Sequence, residues 1–198
     1  MSDTYKTIPQ PAEGLITEKK SKFISHILPV KSVEEVQEIL AVYRKKYSDA
    51  GHVCWAYMLG WERDNFRSSD DGEPSGTAGR PILGQINSYE LTDVLILVVR
   101  YFGGTLLGTG GLIKAYKEAA VEAITNAEIV EKTIDGVIEI YFDYILLNEV
   151  MRILKQFEEL RWEQNFGESC EMRLQIRRSL SEKLAGMLMG IHGVTVKK

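Results

Sequence analysis

The spacing of apolar residues changes repeatedly along this chain, and each change marks an element. From Ser21 to Lys31 ("SKFISHILPVK") β-branched and aromatic residues dominate and Pro29 falls toward the end, so the stretch reads as a strand. Beyond Ser32 the apolar positions move to helical spacing at Val36, Ile39, Leu40, Tyr43 and Tyr47, with Ser32 and Glu35 placed to cap the first turn. "HVCWAYMLG" reads as a second strand and "RDNFRSS" as a short continuation across a turn, before the polar loop "DDGEPSG" interrupts the pattern. Pro81 suits the first turn of a helix carrying Ile82, Leu83 and Ile86. The unbroken apolar run Val94 to Val99 is expected at the centre of its sheet, covered on both faces. A glycine-rich loop follows, and Leu112, Ala115, Tyr116, Ala119 and Ile124 line the next helix.

The pattern restarts around Thr133 to Gly136. "VIEIYFDY" is a strand; Leu147, Val150, Leu154 and Phe157 line a helix; "LRWEQNF" and "CEMRLQIRRS" form a hairpin turning near Gly167. Ser179 to Glu182 caps a further helix, and "GVTVKK" closes as a strand. The order βαββαβ is that of a ferredoxin-like unit, with two helices on one face of an antiparallel sheet. The expected architecture is therefore α+β with two domains, residues 1–132 and 133–198.

Composition narrows the class. With 44% hydrophobic and 26% charged residues over 198 positions, neither disorder nor a fibrous repeat is expected. The longest apolar run is far shorter than the ~20 residues a membrane-spanning helix needs. The N-terminal stretch "MSDTYKTIPQPAEG" carries charge and proline where a signal peptide is apolar, so a cytoplasmic location is expected, with no membrane partner. Cys54 and Cys170 stand far apart and are read as reduced, half-buried residues. A net charge of −4 argues against coating nucleic acid through bulk electrostatics, and no DNA specificity is expected; the dense basic runs in the first half are Lys19-Lys20 with Lys22, and Arg44-Lys45-Lys46.

The stretch "RYFGGTLLGTGGLIKAY" has the outline of a phosphate cradle. It fails the dinucleotide fingerprint, because Ile113 stands where the last glycine belongs, and it fails the Walker pattern, because Gly108 is followed by Thr109 and Gly110. What remains is a helix N-terminus with little side-chain bulk, where backbone amides hold an anion and Arg100 and Lys114 add charge. The other reading is that the glycines permit positive φ and close packing of strand on helix. In "SSDDGEPSGTAGRP", Asp70, Asp71 and Glu73 are hard oxygen ligands that would suit Mg²⁺ together with a substrate phosphate. The other reading is a structured turn in which the aspartates accept backbone amides. No nucleophilic constellation is evident: His26, His52 and His192 are scattered, and His52 shares a strand face with Cys54 without a partner to orient it. Tyr101, Phe102 and Trp55 are candidates for stacking on RNA bases, or else core and loop anchors.

Two long motifs in this order, "SDDGEPSGTAGRPIL" and "VLILVVRYFGGTLLGTGGLIKAY", resemble the hallmark of the YigZ/IMPACT family. The resemblance implies an N-terminal domain with a ribosomal-protein-like fold, shared with domain IV of elongation factor G. It further implies a small C-terminal domain similar to domain V of that factor. It implies a role in translation: eukaryotic members restrain a stress-activated initiation-factor kinase, using an additional N-terminal RWD domain for which the stretch before Ser21 is too short. The matching positions are Asp70, Asp71, Gly72, Glu73, Pro74 and Gly76, continuing through Thr77, Ala78, Gly79 and Pro81. In the second motif they are Arg100, Tyr101, Phe102, Gly103 and Gly104, then Gly108, Gly110 and Gly111. The family assigns them no catalytic role. The expectation is a regulatory or binding protein that contacts RNA, the ribosome or a ribosome-associated protein through the two motif loops. It needs no cofactor and has no catalytic residue. The rival is a Mg²⁺-dependent enzyme handling nucleotides or phosphate.

Overall fold

A computed structural model describes residues 3–167 and 169–197. The first two residues of the lead-in, Glu168 in the expected hairpin turn, and the last lysine of "GVTVKK" lie outside the described residues. The fold is α+β and divides into two compact units: one is Tyr5–Lys132, the other runs from Thr133 onward together with Asp3 and Thr4.

The chain enters through β1 (Thr4–Thr7), which pairs with β7 (Val130–Thr133). The first unit then runs β2 (Ala12–Glu18), β3 (Ser21–Pro29), α1 (Val33–Lys46), β4 (His52–Leu59), β5 (Asn65–Ser69), α2 (Gly79–Ser88), β6 (Val94–Tyr101) and α3 (Gly108–Thr125). Its sheet has the order β2-β3-β6-β4-β5, antiparallel throughout. β6 lies in the middle. Its even residues Val94, Ile96 and Val98 join Ile82 and Ile86 of α2 and Tyr116 and Ala119 of α3 in one core. Its odd residues Leu95, Leu97 and Val99 join Val36 and Leu40 of α1 in another. Burial on both faces explains the unbroken apolar run in an antiparallel strand.

The sequence pattern leaves the segment before Ser21 without an element, yet it holds β1 and β2. β2 is an edge strand carrying exposed Glu13, Leu15 and Thr17, so its alternation is blurred. Its Gly14 is where α3 comes closest: a β-carbon there would stand 2.8 Å from the Ala123 nitrogen.

The second unit contains β8 (Asp135–Phe142), a 3-10 turn at Tyr144–Leu146, α4 (Leu147–Leu154), β9 (Arg161–Phe166), β10 (Cys170–Arg177), α5 (Arg178–Met189) and β11 (Thr195–Lys197). The sheet order is β11-β8-β10-β9, again antiparallel. Ile138 and Ile140 pair with Leu174 and Met172 across β8 and β10, and the row packs with Val150 and Leu154 of α4 and Leu184 and Leu188 of α5. Two local expectations are corrected. α4 ends at Leu154, leaving Phe157 beyond the helix. α5 begins at Arg178, ahead of the Ser179 cap read from sequence; the Ser179 amide, inside the first turn, donates to the Asp3 carboxylate at 3.0 Å. A carboxylate from the distant N-terminus thus does the capping, which no local pattern reveals.

Candidate functional site

Strand parity builds the site. On β6 the face that carries Val98 also carries Arg100, and the face that carries Val99 carries Tyr101. In register beside Arg100 stand Phe23 on β3 and His52 on β4. This row ends the α2/α3 face of the sheet. The acidic turn between β5 and α2 and the glycine loop between β6 and α3 both arrive there, and together they enclose a cleft of about 510 Å³. Glu73 and Pro74 come from the turn, Phe102, Leu106 and Leu107 from the loop, Gly108, Thr109 and Leu112 from α3, and Gly51, His52 and Arg100 from the sheet.

The floor is a buried ion pair. Arg100 Nη1 donates to Glu73 Oε1 at 2.7 Å, the two side chains retaining 8% and 3% of their surface. The Tyr116 hydroxyl donates to the same oxygen at 2.8 Å, and the Arg100 guanidinium lies 5.6 and 5.7 Å from the Phe23 and Phe102 ring centres. Burial first, then neighbouring Cys54 and Glu73, raise the Tyr116 pKa, so the phenol stays a donor. Cys54 Sγ lies 2.9 Å from the Asp70 carbonyl oxygen and 3.3 Å from the Tyr116 hydroxyl. Burial, more than any neighbour, pushes its thiol up to about 12, the opposite of a nucleophilic cysteine. His52 Nδ1 is 2.8 Å from the Asp71 carbonyl oxygen; since a carbonyl only accepts, Nδ1 carries the proton and Nε2 is left open, 3.9 Å from Glu73 Oε1.

The acidic turn is held from within. Asp70 Oδ1 accepts the amides of Ala78 and Gly79 at 3.0 and 2.8 Å, and Oδ2 accepts that of Gly76 at 2.8 Å. Burial raises the Asp70 pKa, but the three amides together outweigh it and hold the carboxyl below its ordinary value. Asp71, at φ +43°, accepts the Val53 amide at 2.7 Å and Arg44 at 3.2 Å. Thr77 Oγ1 donates to the Pro74 carbonyl, and Gly72 and Gly76 adopt φ of +87° and +77°. Gly79 passes so close to β5 that a β-carbon would meet the Ser69 backbone at 2.8 Å. Pro81 sits in the first turn of α2. These residues shape the turn; only Glu73 and Pro74 present themselves to the cleft.

Several expected site residues are placed differently. Arg100 is a buried partner of Glu73 and not a surface contact for phosphate. Tyr101 lies on the opposite face of the sheet, its hydroxyl donating to Asp49 at 2.9 Å. Lys114 is exposed on α3 beside Glu118 at 3.7 Å and does not line the cleft. In the glycine loop, Gly103 donates its amide to Ser21 Oγ, and a β-carbon there would sit 2.1 Å from the Lys20 carbonyl carbon; this glycine serves close packing. Gly104 and Gly108 take positive φ, +84° and +70°. Gly110 and Gly111 fall inside the first turn of α3. For the magnesium reading, the oxygens of Asp70, both oxygens of Asp71 and Oε1 of Glu73 already accept protein donors, and among the described residues no three acidic, histidine or cysteine side chains cluster as metal ligands. No helix among the described residues is long and apolar enough to cross a membrane.

Sequence reasoning missed His52, Tyr116 and the leucine wall as site residues. For His52 the signal was available: it shares parity with Cys54 on a strand that neighbours β6. Nothing local marks Tyr116, whose spacing is that of any core position on α3.

Comparison with known proteins adds to this geometry. The family model described as the Impact N-terminal domain matches residues 19–124, which include every residue lining the cleft. The chain is 35% identical over 177 residues to the IMPACT family member YvyE of Bacillus subtilis, covering 89% of this chain and 81% of that one. It is 32% identical over 181 residues to an IMPACT family member of Haemophilus influenzae, covering 86% and 88%. A crystal structure described as that of a hypothetical protein matches with a TM-score of 0.74 at 26% identity, over 99% of this chain and 97% of the other.

Proposed function

This chain belongs to the IMPACT family, and from that premise we propose that it is a translation-associated regulatory protein that works by binding RNA, on the ribosome or off it, through the cleft and its rim. One observation carries the reading: exposed stacking surface and lysines meet at the point where the two motif loops converge. Phe102 is 59% and Leu106 83% exposed at the cleft. The tight β2–β3 turn, Lys19 and Lys20 at φ +45° and +67°, packs against Gly103 at the rim and holds both lysines exposed. Aromatic surface beside a short basic edge suits single-stranded or splayed RNA, where stacking adds to phosphate contacts. It does so despite the negative net charge, because the positive charge is local.

The sheet of the second unit is a poorer platform. Its open face places Glu163, Arg173, Glu139 and Lys197 in one register row, a self-compensating pattern with no net attraction for phosphate. Its strand order and βαββαβ sequence support the ferredoxin-like reading of residues 133–198, beside an elongation factor G domain IV-like first domain; such a fold is compatible with many functions.

The test is cosedimentation with ribosomes and filter binding to ribosomal RNA across a salt series, for the native chain and for Lys19→Glu/Lys20→Glu. Binding is expected to weaken steeply with salt, and the double variant to lose most of it, with the salt slope reduced by roughly 1 per phosphate contact removed. Binding that ignores both salt and the charge reversal would identify a protein partner instead.

A further inference from the structure

The amino end of α3 opens on the cleft without a side-chain cap and without an acidic residue in its first turn. Its first amides therefore lack an intrahelical acceptor and keep their positive pole. At Gly104, Gly108 and Gly110 nothing stands within 4 Å of where a β-carbon would be. A second feature, independent of the helix, points the same way. Arg100 lines the same cleft, is more than nine-tenths buried, and has an Nε with no hydrogen-bond partner among the described residues. A buried donor without a partner is costly, and since Arg100 lines the cleft, a ligand there can supply the acceptor. The Glu73 charge beside it is already balanced by Arg100 Nη1. The rest of the lining is largely apolar, with Phe102 and Leu106 from the loop and Leu107 and Leu112 from the start of α3. The volume of about 510 Å³ falls within the range of small-molecule sites.

A ligand that answers all of these features carries an anion on a planar, largely apolar body. Resting on the RNA-binding reading, we propose that the cleft receives one nucleoside monophosphate unit, its phosphate at the amino end of α3 and its base against Phe102. His52 Nε2, held open by the bond from Nδ1 to Asp71, meets a donor of the ligand. No divalent ion is required, because the oxygens of Asp70 and Asp71 that a metal would use already accept backbone and arginine donors.

The experiment compares adenosine monophosphate, adenosine and inorganic phosphate by calorimetric titration and thermal shift, in EDTA and in Mg²⁺. The monophosphate is expected to bind at least tenfold more tightly than either half, equally well in EDTA. Thr109→Asp puts a carboxylate at the second position of α3, where it supports the helix while occupying the anion's place; it should fold normally and bind the monophosphate at least tenfold more weakly. Phe102→Ala should weaken the monophosphate by a similar factor and leave inorganic phosphate unchanged. Monophosphate binding no better than phosphate, binding that needs Mg²⁺, or native affinity in Thr109→Asp overturns the proposal. A single-stranded oligoribonucleotide is then used as competitor. Displacement of the monophosphate identifies the RNA strand as the source of the nucleotide. Tight monophosphate binding without displacement leaves this site standing for free nucleotide and removes the RNA reading above.

Discussion

The two loops that meet at the cleft are opposites in how their backbone is satisfied. In the acidic turn the amides of Gly76, Ala78 and Gly79 all end on Asp70, and the Val53 amide of the neighbouring strand ends on Asp71. In the glycine loop the one amide bond to a side chain among the described residues is from Gly103 to Ser21, before the helix begins. The helices repeat the contrast. α1 starts with Ser32 accepting the Glu35 amide, Glu35 accepting the Lys31 amide, and two acidic residues in its first turn; α3 starts with none of these. The saturated turn therefore acts as a scaffold, and the free amides of the other are what the proposed anion site rests on. That each loop carries two glycines conceals this difference.

The largest test of the contrast is on the shared floor. Arg100→Met leaves the Glu73 carboxylate buried with only Tyr116 as donor among the described residues, and breaking such a pair should cost about 3–5 kcal/mol, read from urea unfolding. Glu73→Gln combined with Arg100→Met removes both charges and should recover much of that loss. If the double variant is as unstable as the single, the floor is not held by the pair. Next in size is Asp70→Ala, which strands three backbone amides and should cost roughly 3 kcal/mol. The depressed Asp70 pKa gives the same bond a pH signature. Its contribution is complete above the unfolded-state value of ~3.9 and is lost as pH falls through the lower folded-state value. Loss of that acid-limb dependence in Asp70→Asn would tie it to this residue.

A smaller effect belongs to the other face of the sheet. His26 is buried against Tyr43 of α1 and Tyr47 just past its end, with Nε2 3.0 Å from the Tyr47 hydroxyl and Nδ1 3.1 Å from Glu13 on β2. Burial is the leading cause that lowers its pKa; Glu13 opposes the shift and Lys46 adds to it. The unfolded chain takes up this proton near pH ~6.5 while the native chain resists it, so stability should decline as pH falls below ~6.5 toward the lower native value. His26→Gln should flatten that decline. An unchanged slope would show that another group titrates there.

How much of this was legible in the sequence depended on the range of the interaction. β3, β4, β6 and the helices α1 to α3 announce themselves through local periodicity, and Ser32 through a cap three residues long. β2 was hidden because an edge strand needs apolar residues on one face only and Gly14 stands where a side chain would clash with α3. The cap of α5 was hidden because Asp3 is 176 residues from Ser179. For the cleft, residue types pointed to the right two loops, but charge alone suggested that Arg100 faced solvent. Its register beside Phe23 and His52, a fact of pairing and not of composition, puts it inside.

Lys114 is the sharpest small test, because sequence and structure assign it different work. As a phosphate contact two turns from the glycine loop, its removal would weaken an anionic ligand by a charge-assisted bond. As found, its ammonium is exposed and 3.7 Å from Glu118 one turn along α3, an arrangement worth about 0.2–0.5 kcal/mol in a helix and less as salt rises. Lys114→Ala should therefore shift the unfolding midpoint barely beyond error and leave adenosine monophosphate affinity within twofold of native, whereas Thr109→Asp, five residues earlier on the same helix, should weaken it at least tenfold. A fall in affinity for Lys114→Ala comparable with that of Thr109→Asp would mean that the anion sits along the side of α3. In that case the uncapped first turn would not be its receptor.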